Sequence, residues 1–104
     1  MKKNLKVALR QFGGAEITIT ETVGGKEVRK PALISEQVGQ ALWQHATAGD
    51  TPEEKYRAFQ IAQRIAENPE AVELSNEDIV LIKKIIAPVF AVGYYGQIVD
   101  LLEK

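Results

Sequence analysis

The sequence predicts an α+β domain in which an N-terminal three-stranded antiparallel β-meander packs on a bundle of about four helices. Apolar and polar residues alternate within the first 31 residues, and pairs of glycines interrupt the alternation twice. Helix start signals followed by helical apolar spacing recur after residue 35. A chain of 104 residues is expected to form a single domain, with residues 1–31 as the meander and residues 35–104 as the helical part.

The first two strands are predicted from this alternation. Leu5, Val7 and Leu9 share one face of the first strand, and Ile17 and Ile19 share one face of the second. We expect Val7 to lie opposite Ile19, because that register places all five apolar side chains on one side of the sheet.

The loop between these strands fixes the register. A three-residue loop that ends at Gly14 sets Leu9 opposite Ile17. A two-residue loop would instead set the charged Arg10 opposite Ile17. The longer loop requires a positive φ at Gly14. It also pairs Arg10 with Glu16 on the polar face.

A second hairpin turn is predicted at the glycine pair 24–25. A two-residue loop at this point places Val28 on the same face as Ile17. The third strand, Lys26 to Lys30, is short and charged and is followed by Pro31. Charges and proline protect an edge strand against unwanted pairing, so we expect this strand at the edge of the sheet.

A first helix is predicted over roughly residues 36–46, with Ser35 as its N-cap. Trp43 lies off the inner stripe of this helix, so its indole covers a sheet edge or contacts a partner. The inner stripe consists of Val38, Ala41, Leu42 and His45.

A second helix is predicted to begin at Thr51-Pro52-Glu53-Glu54, which supplies an N-cap, a proline at the first helical position and a capping-box glutamate. It should end at Glu67, before Asn68-Pro69, and an extended connector should then run to Leu74. The predicted apolar face consists of Ala58, Phe59, Ala62, Ile65 and Ala66, with Tyr56 and Ile61 at its margins.

The central helix is predicted in the densest apolar stretch, from Leu74 to Phe90. Ser75 and Asp78 form a capping box at its start, and Pro88 should kink or end it. The apolar stripe is too wide for a surface helix, which indicates a core helix contacted on several sides. Gly93 should terminate this helix, and a last helix should begin at Tyr94.

Composition excludes several classes of function. The chain has no cysteine, so it holds no disulfide and no thiolate metal site, as is common in a reducing compartment. The net charge of −1 gives no global attraction to nucleic acid or to an anionic membrane. The start of the chain lacks the apolar core of a signal peptide, and no segment is long and apolar enough to span a bilayer.

The sequence offers no pattern typical of catalysis or of cofactor binding. His45 is the only histidine, so no second histidine or cysteine can join it at a metal, and no acid–base partner is evident near it. Neither glycine pair has the spacing of a phosphate-binding loop. We therefore expect a protein that is not an enzyme and that needs no cofactor or metal.

The segment Gly93-Tyr94-Tyr95-Gly96 raises one nucleic-acid alternative. It resembles the glycine-x-x-glycine loop with which KH modules clamp single-stranded RNA or DNA. In that alternative Gly93 and Gly96 would form the clamp, assisted by the basic N-terminal residues Lys2, Lys3, Lys6 and Arg10. The segment itself carries no lysine or arginine, and no strand follows it, so charge and element order favour a protein partner.

The C-terminal third resembles small bacteriophage and prophage proteins of uncharacterised function. The resemblance is carried by Val72-Glu73-Leu74-Ser75, Leu81-Ile82-Lys83-Lys84, Gly96-Gln97 and Asp100-Leu101-Leu102-Glu103. It implies an accessory or assembly protein that is made in a bacterial cytoplasm, and it assigns no functional residue.

We therefore expect a protein that acts by binding another protein or a second copy of itself. Its exposed aromatic residues are the candidate contacts, namely Trp43, Phe90, Tyr94 and Tyr95. Residues 79–102 carry more apolar side chains than a small core requires, so a two-fold dimer could also bury part of them.

Overall fold

Four helices and four short strands make up the described part of the chain, which in this computed structural model comprises residues 2–44 and 51–104. The strands form two small antiparallel sheets, so the predicted α+β class is confirmed. In chain order the elements are β1 (Lys2–Lys3), β2 (Thr18–Val23), β3 (Lys26–Pro31), α1 (Ile34–Gln44), α2 (Pro52–Glu67), β4 (Val72–Glu73), α3 (Asn76–Ile86) and α4 (Val92–Glu103).

The hairpin of β2 and β3 has the predicted turn. Val23 pairs with Lys26, which leaves a two-residue loop whose glycines, Gly24 and Gly25, have φ values of 59° and 81°. A type I′ turn needs a positive φ at both positions. Val28 pairs with Glu21, so it lies on the predicted face.

The predicted three-stranded meander is not confirmed, because the sheet of β2 and β3 has two strands. Residues 7–11 instead lie between the two legs of the hairpin at its base. The Ile17 amide donates to the Leu9 carbonyl at 2.9 Å, and the Leu9 amide donates to the Ala32 carbonyl at 2.8 Å. The hairpin legs therefore diverge at their base and each pairs with one half of this segment.

Part of the predicted register is nevertheless present in the structure. Arg10 and Glu16 form an antiparallel bridge, and Gly14 has a φ of 90°, both as predicted. Val7 does not face the second strand, however, because its carbonyl accepts a hydrogen bond from the Ile34 amide at 2.8 Å.

A second sheet, not predicted from the sequence, joins β1 to β4. Lys2 pairs with Glu73 and Lys3 pairs with Val72. The connector before α3 is extended as expected, and Val72 and Leu74 are both buried. This sheet holds the N-terminus of the chain against the helical part.

The starts of α2 and α3 confirm two predictions, and the start of α1 corrects a third. Thr51 with Glu54 and Ser75 with Asp78 form complete capping boxes. Ser35, in contrast, lies inside α1, which begins at Ile34, and its amide donates to the Leu5 carbonyl at 2.7 Å. The end predicted for this helix, with His45, falls outside the described residues.

The central helix ends earlier than Gly93. The last residue of α3 is Ile86, and Pro88 lies in the turn that follows. Gly93 is already the second residue of α4, where its φ is not positive. The prediction that Gly93 terminates the central helix was therefore wrong.

The core lies around α3, which packs against α1, α2 and α4. The apolar residues of the stretch 79–102 are divided between this core and the surface: Val80 and Val92 are exposed, whereas most of the isoleucines and leucines are buried. The largest fully buried side chains are Leu5, Val38, Ile61, Val72, Leu74, Ile82, Ile86, Ile98 and Leu102.

Candidate protein-binding surface

An exposed aromatic cluster, formed by Trp43, Tyr56 and Phe59, lies across α1 and α2. The ring centroids of Trp43 and Phe59 are 5.2 Å apart, and those of Tyr56 and Phe59 are 6.2 Å apart. Trp43 is 61% exposed, Tyr56 62% and Phe59 38%. A cluster of three exposed aromatic rings is unusual on a small domain, because most aromatic surface area is buried.

The way α2 packs explains why this cluster forms. The buried face of α2 consists of Ala58, Ile61, Ala62 and Ile65, so the prediction that Phe59 is buried and Ile61 marginal was wrong. Phe59 therefore lies at the edge of the buried stripe, with Tyr56 one turn before it. The end of α1 brings Trp43 against this edge.

A groove runs between α1 and α2 beside the cluster, and Trp43 lines it. Its floor is built from small side chains, with Gly39 on one helix and Ala62 and Ala66 on the other. A Cβ at Gly39 would lie 3.7 Å from the Ile65 side chain, so the two helices approach closely there. The volume of this α1–α2 groove is about 750 Å³.

Polar side chains border the apolar floor. Gln40, Gln44 and Gln63 line the groove along its length. Each amide can both donate and accept a hydrogen bond, so the border can satisfy the main chain of a bound segment. The groove therefore combines an apolar floor with a polar border, in which the charged residues Lys6, Glu36 and Glu67 lie beside the glutamines. An apolar centre with a polar rim is typical of a site that binds a protein segment.

The charged residues near the groove pair mainly with the protein itself. Glu36 accepts from Lys30 at 3.4 Å, and Lys30 also contacts Glu21 at 3.2 Å. These hydrogen bonds, to Glu21 first and to Glu36, raise the pKa of Lys30 above its usual value. Lys6 lies 3.5 Å from Glu70. The pairing of Lys30 ties the hairpin to α1 and so fixes one end of the groove.

The other predicted partner residues do not join the aromatic cluster. Among residues 2–44 and 51–104 the ring contacts are the two already described, so Phe90, Tyr94 and Tyr95 have no ring contact with Trp43. Phe90 lines a separate cleft of about 370 Å³ beside α1, and Tyr95 packs partly buried against the core. Tyr94 is partly exposed near the start of α4.

The residues of the nucleic-acid alternative do not form the expected clamp loop, and their cations are engaged within the protein. Gly93 and Gly96 lie within α4, so the loop that would resemble a KH clamp is a helical turn instead. Lys3 donates to the Lys104 carbonyl, Lys6 pairs with a glutamate, and the Arg10 guanidinium donates to the Gly14 carbonyl at 3.0 Å. Each of these three cations therefore has a partner within the protein.

Gln97 instead provides a structural link in the middle of α4. Its side-chain amide accepts from the Arg10 amide at 2.8 Å and donates to the Arg10 carbonyl at 2.8 Å. It also donates to the Gly93 carbonyl at 3.1 Å. The first glycine of the predicted clamp therefore lies where α4 is tied to the N-terminal segment.

The buried carboxylate of Asp78 also has a structural environment. Burial alone would raise its pKa, but the Ser75 amide and the Arg64 guanidinium, each donating at 3.0 Å, hold the pKa below its usual value. Arg64 donates in addition to the Glu73 carbonyl at 3.1 Å. Asp78 thus joins the start of α3 to α2 and to the connector before it.

Within the described ranges, no three or more histidine, cysteine, aspartate or glutamate side chains are grouped so that they could hold a metal ion. None of the helices in those ranges is long and apolar enough to cross a membrane. His45, which the sequence predicts to be neither catalytic nor metal-binding, falls outside them.

Sequence reasoning found Trp43 but missed Tyr56 and Phe59. Two signals were available: the aromatic residues on the second helix are spaced i, i+3, and Trp43 lies near the end of the preceding helix. Two consecutive helices joined by a short connection pack antiparallel, which places these ends side by side.

Comparison with known proteins adds no relative to this picture. The chain matches no protein-family model, no curated protein and no solved structure.

Proposed function

We propose that this protein is a non-catalytic binding module that recognises an apolar segment of another protein through its aromatic cluster and its α1–α2 groove. The observation that carries the proposal is the exposure of Trp43, which is 61% accessible although it contacts a second ring. Tryptophan and tyrosine are the residues that most often dominate the binding energy of protein interfaces.

The shape of the groove supports a segment with small or aliphatic side chains. Gly39, Ala62 and Ala66 leave room for side chains of the partner, and Trp43 at one end offers a flat apolar surface against which the partner can pack. The bordering glutamines favour a segment whose main chain needs hydrogen-bond partners. A volume of about 750 Å³ lies within the range of sites that enclose such groups.

The biological setting that we propose is a bacteriophage or prophage. The protein would act in assembly or on a host factor, in the cytoplasm of the bacterial cell. The support for this setting is the resemblance of the C-terminal third to small phage proteins. Binding of single-stranded nucleic acid is less well supported, because Gly93 and Gly96 are helical and Lys3, Lys6 and Arg10 pair with groups of the protein itself.

Capture from lysates of bacteria, with and without phage infection, tests the proposal. Immobilised natural protein is compared with Trp43→Ala, and Val92→Ala serves as the matched control because Val92 is 90% exposed on a different helix. We expect a specific protein to be retained by the natural chain and by the control. Its affinity should fall by about 30-fold or more in Trp43→Ala, the loss typical of a central interface aromatic.

The fluorescence of Trp43, the only tryptophan, provides a direct readout. Addition of the captured protein should shift its emission to shorter wavelength and protect it from acrylamide. Equal retention by all three proteins would contradict the proposal, as would a bound partner that leaves the fluorescence unchanged. A salt-sensitive response to a single-stranded oligonucleotide would favour the nucleic-acid alternative instead.

A further inference from the structure

The outer edge of β2 presents backbone groups that the protein does not use. Because Val23 and Lys26 flank a two-residue turn, they form a hydrogen-bonded pair, and odd-numbered residues of β2 point their amides and carbonyls towards β3. The Ala32 amide donates a hydrogen bond to the carbonyl of the odd-numbered Ile17 at 2.8 Å, which agrees with this assignment. The main-chain amides and carbonyls of Thr18, Thr20 and Thr22 therefore point outwards, away from β3.

This outer edge is open along its length. The three threonines are exposed, and in the described ranges none of their main-chain groups bonds to a residue outside β2 and β3. The segment 7–11 does not cover them, because it lies between the hairpin legs rather than beside β2. Unpaired amides and carbonyls on a regular edge form a template for another strand.

The two edges of the hairpin differ in their protection. The outer edge of β3 carries Glu27, Arg29 and Pro31 at its outward positions, which are the residue types that discourage pairing. The outer edge of β2 carries only threonine at its outward positions, and Glu21 is the single charge within the strand. Threonine, isoleucine and valine also favour extended structure.

We propose that β2 pairs antiparallel with β2 of a second copy of the chain, so that the two hairpins form one four-stranded sheet. The sequence of the strand is complementary to itself. With the two-fold axis at Thr20, Thr20 faces its own copy and Thr18 faces Thr22, so every outward residue of the strand is hydrogen-bonded to another.

Neighbouring registers are less favourable. A shift by two residues in one direction places Glu21 opposite its own copy, where like charges repel. A shift in the other direction leaves one of the three outward threonines without a partner in the strand. In the register with Thr20 on the axis, Glu21 faces Ile19, and threonine pairs cover the other side of the sheet.

The dimer is expected to be weak and concentration-dependent, because a single pair of six-residue strands buries little surface. Pairing gives hydrogen-bond partners to the outward amides and carbonyls of β2, and these hydrogen bonds drive the association. The edge shares no residue with the aromatic cluster or with the groove, so this proposal and the proposed function can fail separately.

Single cysteines test both the pairing and its register, since the natural chain has no cysteine. Thr20→Cys places two thiols directly opposite each other, with Cα atoms about 5.5 Å apart, a distance that a disulfide spans. Thr18→Cys is the control on the same edge, because its copies would be separated by roughly 14 Å along the strand direction.

Under mild oxidation we expect Thr20→Cys to form a disulfide-linked dimer at least tenfold faster than Thr18→Cys. A mixture of Thr18→Cys and Thr22→Cys should cross-link, whereas neither should do so alone. Equal rates for all variants would overturn the proposal, because they would indicate random collision.

Light scattering with size-exclusion chromatography gives a second measurement without a thiol. The natural protein should gain mass as its concentration rises. Thr20→Pro should abolish this gain, because it removes an outward amide, while Arg29→Pro, its cross-strand neighbour on the protected edge, should not. A protein that stays monomeric at millimolar concentration, or a dimer that Thr20→Pro leaves intact, would refute the proposed pairing.

Discussion

Replacing Asp78 by alanine should destabilise the protein by about 2 kcal/mol. The residue is 6% exposed, and its carboxylate accepts from the Ser75 amide and from Arg64, each at 3.0 Å. Loss of the first bond leaves half of a capping box and costs about 1 kcal/mol. Arg64 is partly exposed and can regain water, so loss of the ion pair adds only about 1 kcal/mol.

Urea unfolding followed by far-ultraviolet circular dichroism measures this difference. Glu103→Ala is the matched control, since Glu103 accepts a hydrogen bond from Lys83 at 2.6 Å but is exposed. Its loss should change the midpoint far less. At roughly 4–8 °C per kcal/mol for a domain of this size, the Asp78→Ala melting temperature should fall by about 8–16 °C. A variant no less stable than the control would show that burial adds nothing to this network.

Three further predictions concern the same fold. Because its pKa is lower in the folded than in the unfolded chain, Asp78 contributes stability that is present above its ordinary pKa of 3.8 and is lost as the pH falls through the lower pKa of the folded state. The urea midpoints of the natural chain and Asp78→Asn should therefore differ at neutral pH and approach each other below pH 3.8. Gly24→Ala, at a φ of 59°, should cost about 1 kcal/mol by thermal unfolding, and Gly13→Ala, without a positive φ, should cost almost nothing. Gln97→Ala should cost about 1–2 kcal/mol in the same assay, because two main-chain hydrogen bonds to the first segment are lost, whereas the exposed Asp100→Ala on the same helix should be neutral.

The features that the sequence predicted correctly depend on local chemistry. Gly24 and Gly25 could be assigned to a turn because the favoured two-residue hairpin loops need a positive φ, which glycine adopts without a steric cost. Ser75 and Asp78 could be assigned to a capping box because each satisfies the other within one helical turn. Neither inference needs knowledge of the rest of the chain.

The features that it missed depend on distant parts of the chain. The pairing of Lys3 with Val72 joins segments that no local pattern connects. Leu9 was expected to pair with one strand, but its main chain bonds to Ile17 and to Ala32, because the legs of the hairpin separate at their base. Hydrophobic alternation predicts which side chains face the core, and it does not predict how many neighbours a strand has.

The aromatic cluster also depends on distant parts of the chain, which the sequence pattern does not reveal. The apolar residues of α2 span two adjacent faces, and helical periodicity cannot decide which of Phe59 and Ile61 is buried. The packing of α2 against the rest of the protein decides it, and Ile61 is the residue that becomes fully buried. Phe59 is thereby left at the margin, where Trp43 meets it. The aromatic cluster follows from this tertiary choice, so sequence reasoning found one member and missed two.

The two proposed surfaces are mechanically connected through Lys30. Its contacts with Glu21 on β2 and Glu36 on α1 hold the hairpin against the helix that carries Trp43. If β2 pairs with its own copy, the dimer therefore carries two aromatic clusters, each linked to the shared sheet through Lys30. A repeated partner, such as a multimeric assembly, would then be bound at two points, and the second contact would form at high effective concentration. Weak pairing of the hairpins and weak binding at each groove could together give firm attachment to an assembly, while single copies of the same partner would be released.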